Sequence, residues 1–258
     1  MLNTVELSED VALGYGLDFR ADRGDVSEAA TQQIYCRFDN VGSTEYPIDD
    51  ITQDYYFPTS GEALQISSDD NSDTQNLILY YYSSPDDDEP SSQNITLTGQ
   101  TAQNLSSNVF RVSRLICAGA NNSGTVYLYK SGETLTAGVP AGNIVCIMKP
   151  DTGFSEQSYF YVPKSWTAYL INIDILSNAL DTILNSRTME ITAYRLLSYA
   201  APSLRYKVQV IPLHTATINV DEHAAPGISE NTTYLIKARR KSGTNAQITL
   251  TYRFVLLR

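Results

Sequence analysis

The residue types best suited to chemistry here are two histidines, three cysteines and a surplus of carboxylates, and none sits at a spacing that a reaction needs. His214 and His223 flank Asp221 and Glu222. Imidazole with carboxylate is a common ligand set and acid–base pair, but neither HxH nor HxxxH occurs, so the pattern predicts loop histidines. Asp69, Asn71 and Asp73 offer oxygens at alternate positions, as a calcium loop opens. The series then breaks, with Thr74 where the turn needs Gly and Tyr80 where a bidentate Glu would close the site. Asp86, Asp87 and Asp88 form a second, looser oxygen cluster. A nucleophile elbow GxSxG and the phosphate-cradling GxxxxGK[ST] and GxGxxG are all missing. The expectation is a protein that is not an enzyme, with no cofactor and no metal site.

Cys36, Cys117 and Cys146 are odd in number and lack CxxC spacing, so they cannot all pair within one chain. Cys117 in LICAG and Cys146 in IVCIM sit inside apolar runs, which predicts reduced core cysteines of a protein made in a cytoplasm. The start MLNTVELSED has neither the basic residues nor the apolar run of a signal peptide, and no stretch has membrane-spanning length.

The elements that would position these groups are strands. Of 258 residues only 18% are charged and 42% are apolar, and 18 are Tyr, a residue that suits half-buried pleated faces and interfaces. Gln32 to Asn40 alternates, with Ile34, Cys36 and Phe38 on one face. Leu64 to Ser67 and Asn76 to Ser83 are further strands, separated and followed by the polar loops SSDDNSD and SSPDDDEPSS. Strands are then predicted over 94–98, 108–117, 124–129, 142–149, 158–162, 167–175, 188–197, 205–213, 233–240 and 247–257. The last is the clearest, with Ile248, Leu250, Tyr252, Phe254 and Leu256 on one face and Thr249, Thr251 and Arg253 on the other. Residues 170–185 read either as a helix or as a buried strand followed by a turn. So many strands without intervening helices predict an all-β fold, an antiparallel β-sandwich of jelly-roll type with an acidic N-terminal arm or subdomain.

The net charge of −11 is divided unevenly. Residues 1–90 carry 20 Asp and Glu against three Arg, a balance of −17, whereas residues 91–258 carry nine against 15 Lys and Arg, a balance of +6. An acidic N-terminal part and small β subdomain (1–90) and a β-sandwich domain (91–258) are the expected division. Nucleic acid and anionic membranes would repel the first part, so a neutral or basic protein surface is its expected neighbour. Arg239, Arg240 and Lys241 form the one basic cluster, too small and too poor in aromatics for a nucleic-acid site.

Residues 1–31 hold no long apolar period and read as an extended arm. Within it Leu13, Tyr15, Leu17 and Phe19 alternate around Gly14, Gly16 and Asp18, a pattern that could add as a strand to a neighbour's sheet edge. Tyr80, Tyr81 and Tyr82 are candidate aromatic contacts, as are Tyr55 and Tyr56, for sugar rings in an alternative reading as a glycan- or host-receptor-binding module. Adjacent tyrosines alternate sides of a strand, however, so only every second one can share a platform.

The runs TLTGQTAQNLSSNVFRVSRLICAGANNSGTVYLY (96–129), YFYVPKSWTAYLINIDI (159–175) and ISENTTYLIKARRKSGTNAQITLTYRFVLL (228–257) are similar to β-rich virion structural proteins of tailed phages of marine bacteria, of cyanophage type. The resemblance spans about two-thirds of the chain. It departs at Lys164-Ser165-Trp166, where a Gly-Lys turn is expected, and it does not extend to residues 1–90. It implies a non-enzymatic virion protein, a capsid decoration or vertex protein or a tail appendage component. Such a protein is synthesised in the host cytoplasm, partners other capsid or tail proteins, and forms a homo-oligomer, trimer or pentamer.

Overall fold

The computed structural model of the protein describes residues 29–39, 41–48, 51–179, 189–197, 203–210, 215–219, 227–240 and 246–258. Leu13, Tyr15, Leu17 and Phe19, and His214 and His223, lie outside the described residues. All regular structure among those described is β, and every ladder is antiparallel.

The first sheet is ordered β1 (Ala29–Phe38), β18 (Ala246–Leu257), β13 (Thr167–Ala179), β16 (Thr215–Asn219). β1 therefore begins inside the stretch read as the arm, and its register runs unbroken from Ala29 opposite Leu257 to Phe38 opposite Ile248. Of the segment readable as helix or strand, residues 170–179 are strand, with β13 pairing with β18 as far as Ala179, and residues 180–185 lie outside the described residues. Ile171, Ile173 and Ile175 alternate with Asn172 and Asp174, whereas Ile173, Leu176, Leu180 and Ile183 recur at helical spacing, so the partner strand decides the matter. The second sheet is ordered β12 (Tyr159–Val162), β17 (Thr232–Arg240), β14 (Met189–Leu197), β15 (Ser203–Val210), and the short β2 (Tyr46–Pro47) also pairs with β17.

Between these two sheets lies one core. Ile34, Cys36 and Phe38 of β1 and Ile248, Leu250, Tyr252, Phe254 and Leu256 of β18 enter it on the faces their alternation predicted, meeting Phe160, Val162, Tyr234, Ile236 and Ile191 from the second sheet. Phe160 stacks on Phe254 with centroids 4.6 Å apart.

Two further sheets build a second core against the other face of the second sheet. They are the sheet β11 (Ile144–Met148), β8 (Val126–Lys130), β3 (Leu64–Ser68), β6 (Gln103–Asn104), and the sheet β5 (Ser91–Thr96), β4 (Asn76–Tyr82), β7 (Arg111–Cys117). The hairpin β9 (Leu135–Thr136) with β10 (Val139–Pro140) lies beside them. The second core gathers Leu64, Ile66, Leu77, Leu79, Val112, Leu115, Val126 and Leu128. Tyr159 and Leu235 join them, although their chain neighbours Phe160 and Tyr234 belong to the first core. Alternate side chains of β12 and β17 thus serve opposite cores, which is why Tyr159–Val162 and the stretch Tyr234-Leu235-Ile236 read as unbroken apolar runs. Gly138 shows how closely the β9–β10 hairpin packs on β3: its φ is 81°, and a Cβ there would stand 1.9 Å from the Ser68 carbonyl oxygen.

The charge step at residue 90 is not a seam in strand pairing. β4 pairs with both β5 and β7, β3 with β8, and β1 with β18, each joining a strand before residue 90 to one after it. Composition there marks what faces solvent, whereas pairing follows the apolar positions.

Candidate functional site

The acidic loop 83–90 leaves β4 and is held at both ends. At its start Asp87 Oδ2 accepts hydrogen bonds from the Ser83 N–H (2.6 Å), the Ser83 hydroxyl (2.8 Å) and the Ser84 N–H (3.0 Å). Further along, Lys164 Nζ donates to Asp86 at 2.7 Å, the Trp166 indole N–H donates to the Asp88 carbonyl at 3.2 Å, and Arg258 reaches Asp88 at 3.3 Å and Glu89 at 3.9 Å. The Arg258 guanidinium lies over the Trp166 ring, 4.8 Å from its centroid. The turn that carries Lys164 and Trp166 passes through Ser165 at φ 67°, a left-handed conformation that favours glycine, and the Ser165 N–H donates to Glu230 at 2.5 Å. Ser165 thus holds a conformation that favours glycine, anchored by a carboxylate.

Behind the loop is a cavity of about 190 Å³ where the sheets meet, lined by Tyr82, Asp88, Glu89, Tyr161, Trp166 and neighbouring residues. The rings of Tyr82 and Tyr161 meet edge to face at 5.0 Å, and Tyr161 meets Phe110 at 5.5 Å. Arg111 lies nearby, buried, its guanidinium 4.1 Å from the Phe110 centroid. It donates to the Pro58 and Phe110 carbonyls at 2.6 and 2.7 Å and to the Thr233 hydroxyl at 3.0 Å. Burial, reinforced by Glu89, pushes the Tyr82 hydroxyl well above the usual tyrosine range. Burial also raises Tyr161, against the opposing field of Arg111. Both rings therefore present neutral hydroxyls. That of Tyr161 donates to Asn231 at 2.8 Å.

The three tyrosines proposed as aromatic contacts do not share a face. Tyr81 is 6% exposed in the second core, Tyr82 is 7% exposed against the cavity, and Tyr80 is half-buried. Tyr55 is likewise buried, 4.9 Å from Tyr159, and the Tyr56 hydroxyl donates to Glu62 at 2.7 Å. The cavity residues Asp88, Glu89, Tyr161 and Trp166 come from separate strands and loops, so no local pattern could have singled them out.

The calcium-like loop is engaged by N–H and O–H donors. Asp73 accepts from the N–H groups of Ser123 (2.7 Å) and Gly124 (3.0 Å) and from the Ser68 hydroxyl. Asp69 accepts from the Thr125 N–H at 2.8 Å, and Asp70 from the Ser72 N–H and hydroxyl, both at 2.8 Å. Those two bonds hold the Asp70 carboxyl below its usual range. Cys36 and Cys146 are buried and Cys117 half-buried, its thiol pushed up by burial. In the basic cluster, Arg239 pairs with buried Glu190 at 2.5 Å. Many N-terminal acids also find partners within the chain: besides the loop pairs, Lys237 pairs with Asp54, and Lys130 with Glu62 at 3.8 Å.

No protein-family model and no curated protein matches the chain. Among solved structures it is similar to the VP2 subviral particle of infectious bursal disease virus at 6% identity and a TM-score of 0.22, covering 90% of this chain and 72% of that one. Structures of the Gx and Gt strains of that virus give 6% and 8% identity with TM-scores of 0.18, covering 89% and 90% of this chain and 76% and 77% of theirs. Superpositions of that quality assign neither a shared fold nor a role.

Proposed function

We propose that the chain is a non-enzymatic structural subunit of a virus particle, a capsid decoration or vertex protein or a tail appendage component. It would assemble as a trimer or pentamer with other virion proteins. The observation that carries this reading is architectural. Four β-sheets enclose two apolar cores, while the outer strands β1 and β5 pair on one side only among the described residues, which leaves backbone edges of the kind that neighbouring subunits use. The likeness of residues 96–129, 159–175 and 228–257 to tailed-phage structural proteins points the same way. The N-terminal segment containing Leu13, Tyr15, Leu17 and Phe19 would supply an added strand to a neighbour.

Mass spectrometry of purified particles tests the reading: the chain is expected in particles, and its presence only in infected-cell lysate would refute it. Because β1 starts at Ala29, the arm is tested by deleting residues 1–28 and no further. Lost incorporation of a folded subunit supports the arm as anchor, and wild-type occupancy rules it out.

A further inference from the structure

The cavity behind the acidic loop has a wall and a rim of complementary chemistry. Its wall is aromatic, with Tyr82, Tyr161 and Trp166 each nearly buried. Its rim is acidic: Asp88 and Glu89 line it, and with Asp86, Asp87 and Glu230 beside them they stand against Lys164, Arg258 and the buried Arg111 behind Tyr161, five carboxylates to three cations, a local balance of −2. The Tyr82 ring lines the cavity at 7% exposure, and its hydroxyl has no hydrogen-bond partner among the described residues. A neutral hydroxyl left open beside carboxylates can accept an N–H from a cation that those carboxylates attract.

The chain itself displays the pairing at the mouth, where the Arg258 guanidinium stacks on Trp166 while reaching Asp88. Aromatic faces and carboxylates both stabilise a positive charge, the first through the ring quadrupole and the second by charge-assisted hydrogen bonds. At about 190 Å³ the cavity suits the end of one side chain; sites for drug-sized ligands run to roughly 300–1,000 Å³.

We propose that this cavity receives a basic side chain, arginine or lysine, presented by a neighbouring protein. The subunit reading supplies only the source of that side chain. The site itself stands on the cavity, its charge and the open Tyr82 hydroxyl.

Trp166 is the sole tryptophan of the chain, so its fluorescence reports on this cavity directly. The full chain is titrated with acetyl-arginine-amide, with the citrulline analogue of the same shape but no charge, and with glucose. A saturable change is expected with the arginine probe alone, weakened by added salt and about tenfold weaker in the variant combining Asp88→Asn with Glu89→Gln. Because that variant also releases Arg258, Tyr82→Phe is the second arm. It is expected to weaken binding with an unchanged melting temperature. No saturable change, an equal response to the citrulline analogue or to glucose, or unaltered affinity in both variants would overturn the proposal. A chain found in particles that gives no response defeats the cavity alone, whereas absence from particles defeats the subunit reading and leaves the titration as it stands.

Discussion

Lys149 and Glu156 form an ion pair at 3.2 Å with side chains only 7% and 3% exposed. Lys149 Nζ also donates to the Arg37 carbonyl and faces Asp39 at 3.9 Å, so a residue just past β11 is tied to the end of β1 in another sheet.

Breaking this pair from the Glu156 side removes the buried counter-charge of Lys149 and leaves it facing the more exposed Asp39 at 3.9 Å. Glu156→Leu is expected to lower stability by about 3 kcal/mol in urea unfolding. Adding Lys149→Met to it should recover most of the loss, because the pair's desolvation cost disappears with its attraction. A double variant no more stable than the single one would show that the Arg37 carbonyl contact matters more than the ion pair.

Alkaline pH should destabilise the fold. Burial raises Tyr82 and Tyr161 above the usual 10.0, and burial together with the hydrogen bond to Glu45 pushes Tyr194 up to about 12. Above the unfolded value the unfolded chain has lost these protons and the folded chain keeps them. Stability is therefore fully present below about pH 10 and falls as pH rises toward the folded values. The urea midpoint should be lower at about pH 11 than at about pH 8. Tyr82→Phe should flatten that fall while changing little at neutral pH, since its hydroxyl has no protein partner to lose among the described residues.

Asp73 is only 1% exposed and accepts the Ser123 and Gly124 N–H groups. Asp73→Ala is expected to cost about 2–4 kcal/mol through those unsatisfied donors. Millimolar calcium should leave the melting temperature of the unaltered protein unchanged, because the carboxylate oxygens already accept hydrogen bonds. A clear upward shift with calcium would refute this account of the loop.

Ser165 pays for its left-handed φ of 67° with strain that glycine would not incur. Ser165→Gly keeps the N–H to Glu230 and should raise stability by about 0.5–1 kcal/mol in chemical denaturation. A loss would mean that the side chain holds the turn.

Alternation alone assigned the faces of β1 and β18: Ile34, Cys36 and Phe38, and Ile248, Leu250, Tyr252, Phe254 and Leu256, point inward because a strand's two-residue period leaves the other face to carry Thr249, Thr251 and Arg253. The all-β class was legible for the same reason. The double burial of β12 and of Tyr234-Leu235-Ile236 in β17 was not, since a short apolar run does not say which neighbour covers which face. Residue 90 looked like a boundary because charge records exposure, yet strand pairs form across it and Lys164 and Arg258 return to the acidic loop from far along the chain. The cavity belongs wholly to this second kind of information. Tyr82, Glu89, Tyr161 and Trp166 are brought together by the packing of sheets, and strand periodicity carries no record of contacts between residues so distant in sequence.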